Sequence, residues 1–273
     1  MRKHFLWVIC ALLTLSVSVI SWSFANVTKG GDSTAVKSAN EKASPATSSK
    51  LLFFHYVNDI YEAASLNESG LDSVVFQKAI TGYYNLKIAN LLPANSSVVT
   101  IVDFNKPSTT KRMWIVDLQK RKLLLNTWVA HGKGSGDNMA NAFSNNEESH
   151  QSSLGFYVTD DVYFGKHGRS LHLNGMDVGF NDKARDRDIV LHGAEYVNQN
   201  TIDQLGRLGR SFGCPAVSTT VVDQIINTIK DKNLLFINGT DGAYTSKYLN
   251  TDQAARLAFA DSSFNLVKDA FAN

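Results

Sequence analysis

The apolar residues of this chain change their period at Pro93, and that change limits the folds open to it. Residues 51–95 contain two stretches in which apolar side chains recur at helical spacing. After Pro93 the period is two, in runs at 97–104, 113–118 and 123–130, and the last two runs are close enough to form a hairpin. The sequence therefore predicts a short helical lead-in followed by a domain built on strands.

Short strand-like runs, separated by clusters of Gly, Asn and Asp, continue along the second half of the chain. Helical spacing returns at about 199–208, at about 219–230 and near the carboxyl end. We therefore predict a mostly β fold of the α+β class, in which a domain at residues 96–240 carries short attached helices. Residues 241–273 are predicted to form a helical tail.

The first residues have the pattern of an export signal. Arg2 and Lys3 precede a long apolar run that ends at Ser23-Phe24-Ala25, with small residues at the two key places of a cleavage site. Residues 1–25 therefore predict a signal peptide that is removed, with an uncleaved anchor as the alternative. Residues 26–50, rich in Ser, Ala, Thr and Lys, predict a flexible linker. The domain is expected to be periplasmic or secreted, without membrane contact beyond the signal.

The charge balance argues against a polyanionic partner. The whole chain has 27 Lys plus Arg and 25 Asp plus Glu, and loss of residues 1–25 would remove two basic and no acidic side chains. The remaining chain is formally neutral and contains no block of positive charge. Nucleic acid is therefore not expected as a partner.

Cys214 is the only thiol that the predicted export leaves in the chain, because Cys10 lies within the signal peptide. A disulfide within one molecule is then impossible. In an oxidising compartment a single thiol is either buried and inert or kept for its reactivity. Its neighbours favour reactivity, since Gly213 permits a positive φ and close approach of a substrate, while Pro215 disfavours helical geometry at the cysteine.

His192 is the leading candidate for the base that a nucleophilic thiol needs. It ends a short apolar run, is followed by Gly193, and precedes Cys214 by 22 residues. We predict that His192 lowers the pKa of the Cys214 thiol, and that Arg210 is a second charged neighbour. The amides at Gly213 and Cys214 are predicted to donate to the oxyanion that forms during attack on a carbonyl. The alternative is an inert cysteine beside a structural histidine.

The order His192-Gly193, an interval, then Ser211-Phe212-Gly213-Cys214 resembles the signature of the L,D-transpeptidase catalytic domain, also known as the YkuD-like domain. The resemblance is closest to a branch in which an aromatic residue replaces a second histidine and Pro-Ala follows the cysteine. It runs from about residue 71 to residue 239. Phe212, Pro215-Ala216 and a long interval are departures from the main family, and they bear on substrate preference.

The resemblance implies a YkuD-like fold, a β-sandwich or curled sheet, and acyl transfer through a thioester. Cys214, deprotonated by His192, would attack the diaminopimelate carbonyl of a peptidoglycan tetrapeptide stem and expel D-alanine. A side-chain amine of a second stem, or water, would then release the acyl group. Ser211 matches the Ser or Thr of the family and would help to hold the imidazole.

The resemblance also implies a cell-wall-associated monomer whose partners are peptidoglycan stem peptides, with neither metal nor cofactor. Four further residues are expected to bind substrate: Gly193, Arg210, Tyr196 and Asn174. For Tyr196, simple packing is the alternative.

Other functions stay open at this point. A carboxypeptidase on the same fold would pass the acyl group to water, and a wall-binding protein would have a degenerate site. Zinc ligation by His167, His172 and His192 with Cys214 is disfavoured, because their spacing matches no zinc motif. A sortase would require an arginine soon after the cysteine, and Arg256 is the first.

Overall fold

A computed structural model describes residues 45–259 of the chain. The predicted signal peptide, most of the predicted linker and residues 260–273 of the predicted tail lie outside the described residues. The described part contains five α-helices: α1 (Pro45–Ala63), α2 (Ser73–Ile88), α3 (Gln199–Leu205), α4 (Val222–Ile229) and α5 (Thr251–Phe259). It also contains eight strands: β1 (Val98–Asp103), β2 (Met113–Asp117), β3 (Lys122–Thr127), β4 (Gly155–Gly165), β5 (Gly168–Gly175), β6 (Val190–Ala194), β7 (Ala216–Ser218) and β8 (Leu234–Asn238).

The eight strands form one curled sheet in the order β3-β2-β1-β8-β4-β5-β6-β7. The β1–β8 and β6–β7 pairs are parallel and the other neighbours are antiparallel. Ala130, just beyond β3, bonds to Ala216 of β7 through both backbone groups, at 2.8 and 3.3 Å. The two ends of the sheet therefore meet, and the predicted α+β fold with a curled sheet is confirmed.

Alternate residues of the central strands enter two different cores, as a period of two requires. In β2, Trp114 packs with the helices α1, α2 and α5, whereas Met113 and Ile115 point to the opposite face. Phe236 and Ile237 of β8 divide in the same way. Both faces of these strands are thus buried, one by the lead-in helices and the other by α4.

The predicted helical lead-in is present, and its second helix begins as the sequence suggests. Asp72 is the N-cap of α2 and its carboxylate accepts from the Val74 and Val75 amides. The first helix begins at Pro45, so residues 45–50, predicted as linker, are helical. Proline suits the first turn of a helix because its missing N–H would lack a partner there.

The first part of the predicted tail is integrated into the domain rather than set apart from it. Helix α5 packs against α1, where Lys50 lies 3.3 Å from Asp252 and the rings of Tyr56 and Phe259 meet edge to face. Asn85 of α2 also donates to two carbonyls in the segment before α5. Within residues 45–259, none of the helices has the length and hydrophobicity that a bilayer crossing needs.

Strands β4 and β5 form a hairpin that contains a β-bulge. The register passes from Thr159 opposite Leu173 to Val162 opposite Leu171, so two residues of β4 face one residue of β5. Bulges of this kind re-aim side chains and occur often beside active sites. The tip of the hairpin lines an open cavity of the structure.

Candidate active site

An open cavity of about 780 Å³ lies where β6, the segment before β7 and the tip of the β4–β5 hairpin come together. Cys214 and His192 both line it. Of the other residues predicted from the sequence, three also line it: Tyr196, Arg210 and Ser211. A second cavity, of about 490 Å³ between α1 and α2, has neither a cysteine nor a carboxylate in its wall.

Cys214 is half-buried and its sulfur is held by backbone groups. The Val190 amide donates to Sγ at 3.5 Å, and the thiol donates to the Asp188 carbonyl at the same distance. Burial raises the pKa of the thiol, and this effect outweighs the opposing effects of the Val190 amide and the Arg187 charge. The predicted lowering of this pKa is therefore wrong, because the site withholds water from the thiolate.

His192 lies on β6, opposite Ala216 of β7, and its ring is fixed on two sides. Its Nδ1 donates to the Gly193 carbonyl at 2.9 Å, which leaves Nε2 as the acceptor of a neutral imidazole. The ring of His167 stacks on it at 4.2 Å. Burial lowers the pKa of His192, and the nearby His167 and Lys166 add to this against the opposing Gly193 bond.

The Cys214 thiol and the His192 imidazole line the same cavity, but the structure shows no hydrogen bond between these two side chains. Both are neutral in the resting site, since burial raises the pKa of Cys214 and lowers that of His192. A neutral pair of this kind acts by transferring the proton during attack, as serine and histidine do. Catalytic hydrogen bonds are often long before substrate binds, so the separation is compatible with that role.

Ser211 shapes the loop that carries the cysteine. Its hydroxyl accepts from the Gly213 amide at 3.1 Å and donates to the Cys214 carbonyl at 2.6 Å. The resemblance implied that Ser211 contacts the His192 imidazole. The imidazole instead donates to the carbonyl of Gly193, the next residue in the chain. Ser211 is thus placed to position the nucleophile.

Gly213 adopts a φ of +126°, a positive value that a glycine permits at this position. Its amide, however, is already bonded to Ser211 and so does not point at a free oxyanion. The Cys214 amide donates to no acceptor among residues 45–259. Of the two amides predicted for the oxyanion, the Cys214 amide is therefore the one available.

The remaining predicted substrate residues divide into two groups. Arg210 lines the cavity but is paired with Asp137 at 2.7 Å, and Tyr196 forms part of the wall.

Gly193 and Asn174 lie outside the lining of the cavity. A side chain at Gly193 would meet Val222 of α4 rather than a substrate, and Asn174 donates to Asp160 at 2.8 Å.

Arg187 lines the cavity and makes several hydrogen bonds to a neighbouring loop. Its guanidinium bonds to the carbonyls of Ser144 and Gln151, each at 2.8 Å, and to the hydroxyls of Ser149 and Ser153. It thereby ties the long loop at 137–153 to the edge of the cavity.

We expect Arg187→Gln to lower the free energy of unfolding by about 1–3 kcal/mol, because hydrogen bonds from a charged donor would be lost. Amide hydrogen exchange within residues 144–153 should also accelerate. The matched control is Arg185→Gln, which removes a half-exposed arginine paired with Asp160 and Asp161 and should cost no more than about 1 kcal/mol. Equal effects of the two changes on exchange in the loop would contradict the anchoring role.

A buried Arg112–His131 pair supports the cysteine loop from behind. Arg112 donates to His131 Nδ1 at 2.7 Å and to the Val129 carbonyl, and burial lowers the pKa of His131 to about 4. The backbone of His131 accepts from the Ser211 amide at 3.0 Å. Nothing in the sequence pairs His131 with Arg112.

The histidines considered for zinc are engaged in other contacts. His167 and His192 are stacked face to face, and His172 Nδ1 is bonded to Asp161. In the part of the chain that the structure describes, no group of three or more His, Cys, Asp or Glu side chains is arranged to hold a metal ion.

The chain is similar to a known protein family and to several solved structures. A family model described as the L,D-transpeptidase catalytic domain matches residues 67–238. Similar solved structures include an L,D-transpeptidase from Mycobacterium smegmatis, at 9% identity and a TM-score of 0.33, with 53% of this chain and 59% of that chain covered. The helical cell shape determining protein Pgp2 from Campylobacter jejuni is 15% identical, with a TM-score of 0.36 and coverage of 65% and 63%.

The chain thus spans about three fifths of the length of these solved structures. The search among curated proteins found no match.

Proposed function

Because the chain belongs to the L,D-transpeptidase catalytic domain family, we propose that it is a murein L,D-transpeptidase with Cys214 as its nucleophile. The observation that carries the proposal is that the only free thiol of the described residues and the neutral His192 imidazole line one open cavity. The predicted export signal supports action in the periplasm or outside the cell. We propose that the protein acts there as a monomer.

In the first half-reaction, His192 Nε2 takes the thiol proton as Sγ attacks the diaminopimelate carbonyl of a tetrapeptide stem. The oxyanion forms beside the Cys214 amide, which has no other acceptor among the described residues. The bond to D-alanine then breaks, and His192 returns the proton to the leaving amine. The product is a thioester on Cys214 and free D-alanine.

Charge in the cavity supports a donor that carries carboxylates. Lys166, Arg187 and Arg210 all line it, and Asp188 is the acidic residue of the lining. Lys166 forms no ion pair within residues 45–259, so its ammonium is available to an anionic ligand. A stem peptide that ends in D-alanine presents such a carboxylate close to the bond that breaks.

The test is to incubate the protein with disaccharide tetrapeptide, with and without a second stem as amine acceptor. We expect D-alanine release, a mass increase on Cys214 and cross-linked dimers when the acceptor is present. Protein alkylated beforehand with iodoacetamide is the control and should give none of these.

Tripeptide as the sole product, with or without acceptor, would instead indicate a carboxypeptidase. Binding of the stem without any release of D-alanine would indicate a wall-binding protein and would overturn the proposed catalysis.

A further inference from the structure

A second histidine in the cavity is oriented by a carboxylate. His172 lies on β5, opposite the bulge of β4 where Asp160 and Asp161 together face this single residue. Its Nδ1 lies 3.0 Å from the Asp161 carboxylate, which can only accept, so Nδ1 carries the proton. Nε2 is then the free acceptor, and it has no bonded partner among the described residues. The bulge thus brings Asp161 beside His172, which regular antiparallel pairing of the two strands would not do.

Other contacts fix this pair in place. The ring of Tyr163 stacks on His172 at 4.2 Å with an angle of 11° between the planes. Arg185 bonds to the Asp161 carboxylate at 3.2 Å through both terminal nitrogens. Burial raises the pKa of Asp161, but the hydrogen bonds from His172 and Arg185 together outweigh it and hold that pKa below its usual value. The carboxylate therefore remains charged and keeps the imidazole in one tautomer.

The position of His172 relative to the nucleophile follows from the register of the sheet. His172 pairs with Val190 across β5 and β6, and the Val190 amide contacts Cys214 Sγ. Cys214, Val190 and His172 therefore form one row across the floor of the cavity. His192 lies two residues further along β6, in the next row, opposite Ser170. His172 and His192 thus lie in separate rows of the cavity, each with a fixed tautomer and a free nitrogen.

We propose that His172 is a second acid–base group of this site and that it takes a proton from the amine acceptor before the amine attacks the thioester. This inference rests on the proposed function. The acceptor arrives as an ammonium, and His172 Nε2 removes one proton. The amine nitrogen then bonds to the acyl carbon, the carbon–sulfur bond breaks, and the second proton passes to His192. The His192 proton then returns to the thiolate, and His172 releases its proton to solvent, which restores both imidazoles for the next turnover.

The charge next to His172 favours an amine at this residue. Asp160, Asp161 and Arg185 together leave one net negative charge beside His172, which attracts an ammonium. The groups that face His172 are Asp161 and Tyr163 from β4 and Val190 from β6. Lys166 and Arg210 line the same cavity and suit the carboxylate of the donor stem. Water, the competing nucleophile, is neutral and is not attracted by this net negative charge.

The test separates the two half-reactions in His172→Gln. Thioester formation is followed by mass and D-alanine release, and transfer is followed by dimer formation at varied pH. We expect thioester formation at the wild-type rate, and transfer at pH 7 slowed by at least ~10-fold, since general bases contribute about 100- to 10,000-fold. Transfer should recover as the pH rises and the acceptor loses its proton to solvent.

Asp161→Asn should show the same pattern more weakly, because it removes the carboxylate but keeps the imidazole. The matched control is His55→Gln, an exposed histidine of α1 that does not line this cavity, and it should change neither step. Transfer by His172→Gln at the wild-type rate and pH dependence would overturn the proposal, as would a parallel loss of thioester formation in correctly folded protein. Absence of any thioester in the wild type would instead overturn the proposed function itself.

Discussion

Replacing His192 by alanine is expected to slow acylation of Cys214 by about 100- to 10,000-fold at neutral pH, the range that general bases contribute. The reason lies in the resting state, since burial raises the pKa of the thiol and leaves it protonated. A neutral thiol is a poor nucleophile, so a base must remove its proton during attack. Mass spectrometry of the acyl-enzyme and alkylation by iodoacetamide both measure this loss.

The pH dependence gives a second test of the same pair. Burial lowers the pKa of His192, so the imidazole stays in its basic form to pH values below the ordinary value of 6.5. The wild-type acylation rate should therefore be flat through neutral pH and fall only on the acid side of that value. In His192→Ala the rate should instead rise steadily with pH, because only solvent can then generate the thiolate.

His55→Ala is the control for this change, because it removes an exposed histidine remote from the cavity. It should leave both profiles unchanged. An alkylation rate in His192→Ala equal to the wild-type rate across the pH range would mean that His192 is not the base.

Much of the fold follows from local sequence signals. Asp72 before an apolar helical repeat predicts the start of α2, and alternation in β2 predicts the two opposite faces on which Trp114 and Ile115 lie. The helical character of residues 45–50 escaped prediction, because the segment has few large apolar side chains. It is ordered by packing against α5, which comes some 200 residues later and forms contacts that no local pattern encodes.

The sequence singles out the two groups of the candidate site, but it does not predict their electrostatics. The neighbours of His192 and Cys214 in the sequence, together with the family resemblance, mark the two groups, and the structure brings both to one cavity. Their pKa values depend on how much water reaches them, which is a property of the folded cavity rather than of neighbours in sequence. The predicted lowering of the thiol pKa was wrong for this reason.

Residues that act across long separations were missed for a related reason. Arg187 anchors a loop about 40 positions earlier, and its four partners are two carbonyls and two serine hydroxyls that carry no distinctive pattern. The pairing of Asp161 with His172 depends on a bulge that shifts the register by one residue. Alternation of apolar residues predicts a strand, but it does not locate a bulge within it.

Gly213→Ala is expected to slow acylation by about 100-fold, the loss that a displacement of about 1 Å brings to a reacting group. The φ of +126° at this position is one that side chains rarely adopt. An added Cβ would lie 2.9 Å from the Gln151 carbonyl and 3.0 Å from Ile189 Cδ1, so the loop must shift. Because Cys214 is the next residue, the shift would move the sulfur and the free amide together. Strain of this kind should also lower the free energy of unfolding by about 1–3 kcal/mol.

Gly70→Ala separates the loss of stability from the loss of rate. Gly70 has a φ of +79° and no atom within 4 Å of an added Cβ, and it lies in the turn between α1 and α2. Alanine there should cost about 1–2 kcal/mol through the backbone alone and should leave acylation unchanged. Denaturant unfolding and acyl-enzyme formation, measured on both variants, distinguish the two effects. Acylation by Gly213→Ala at the rate of Gly70→Ala would show that the nucleophile tolerates a displaced loop, against the view that Ser211 and Gly213 fix its position.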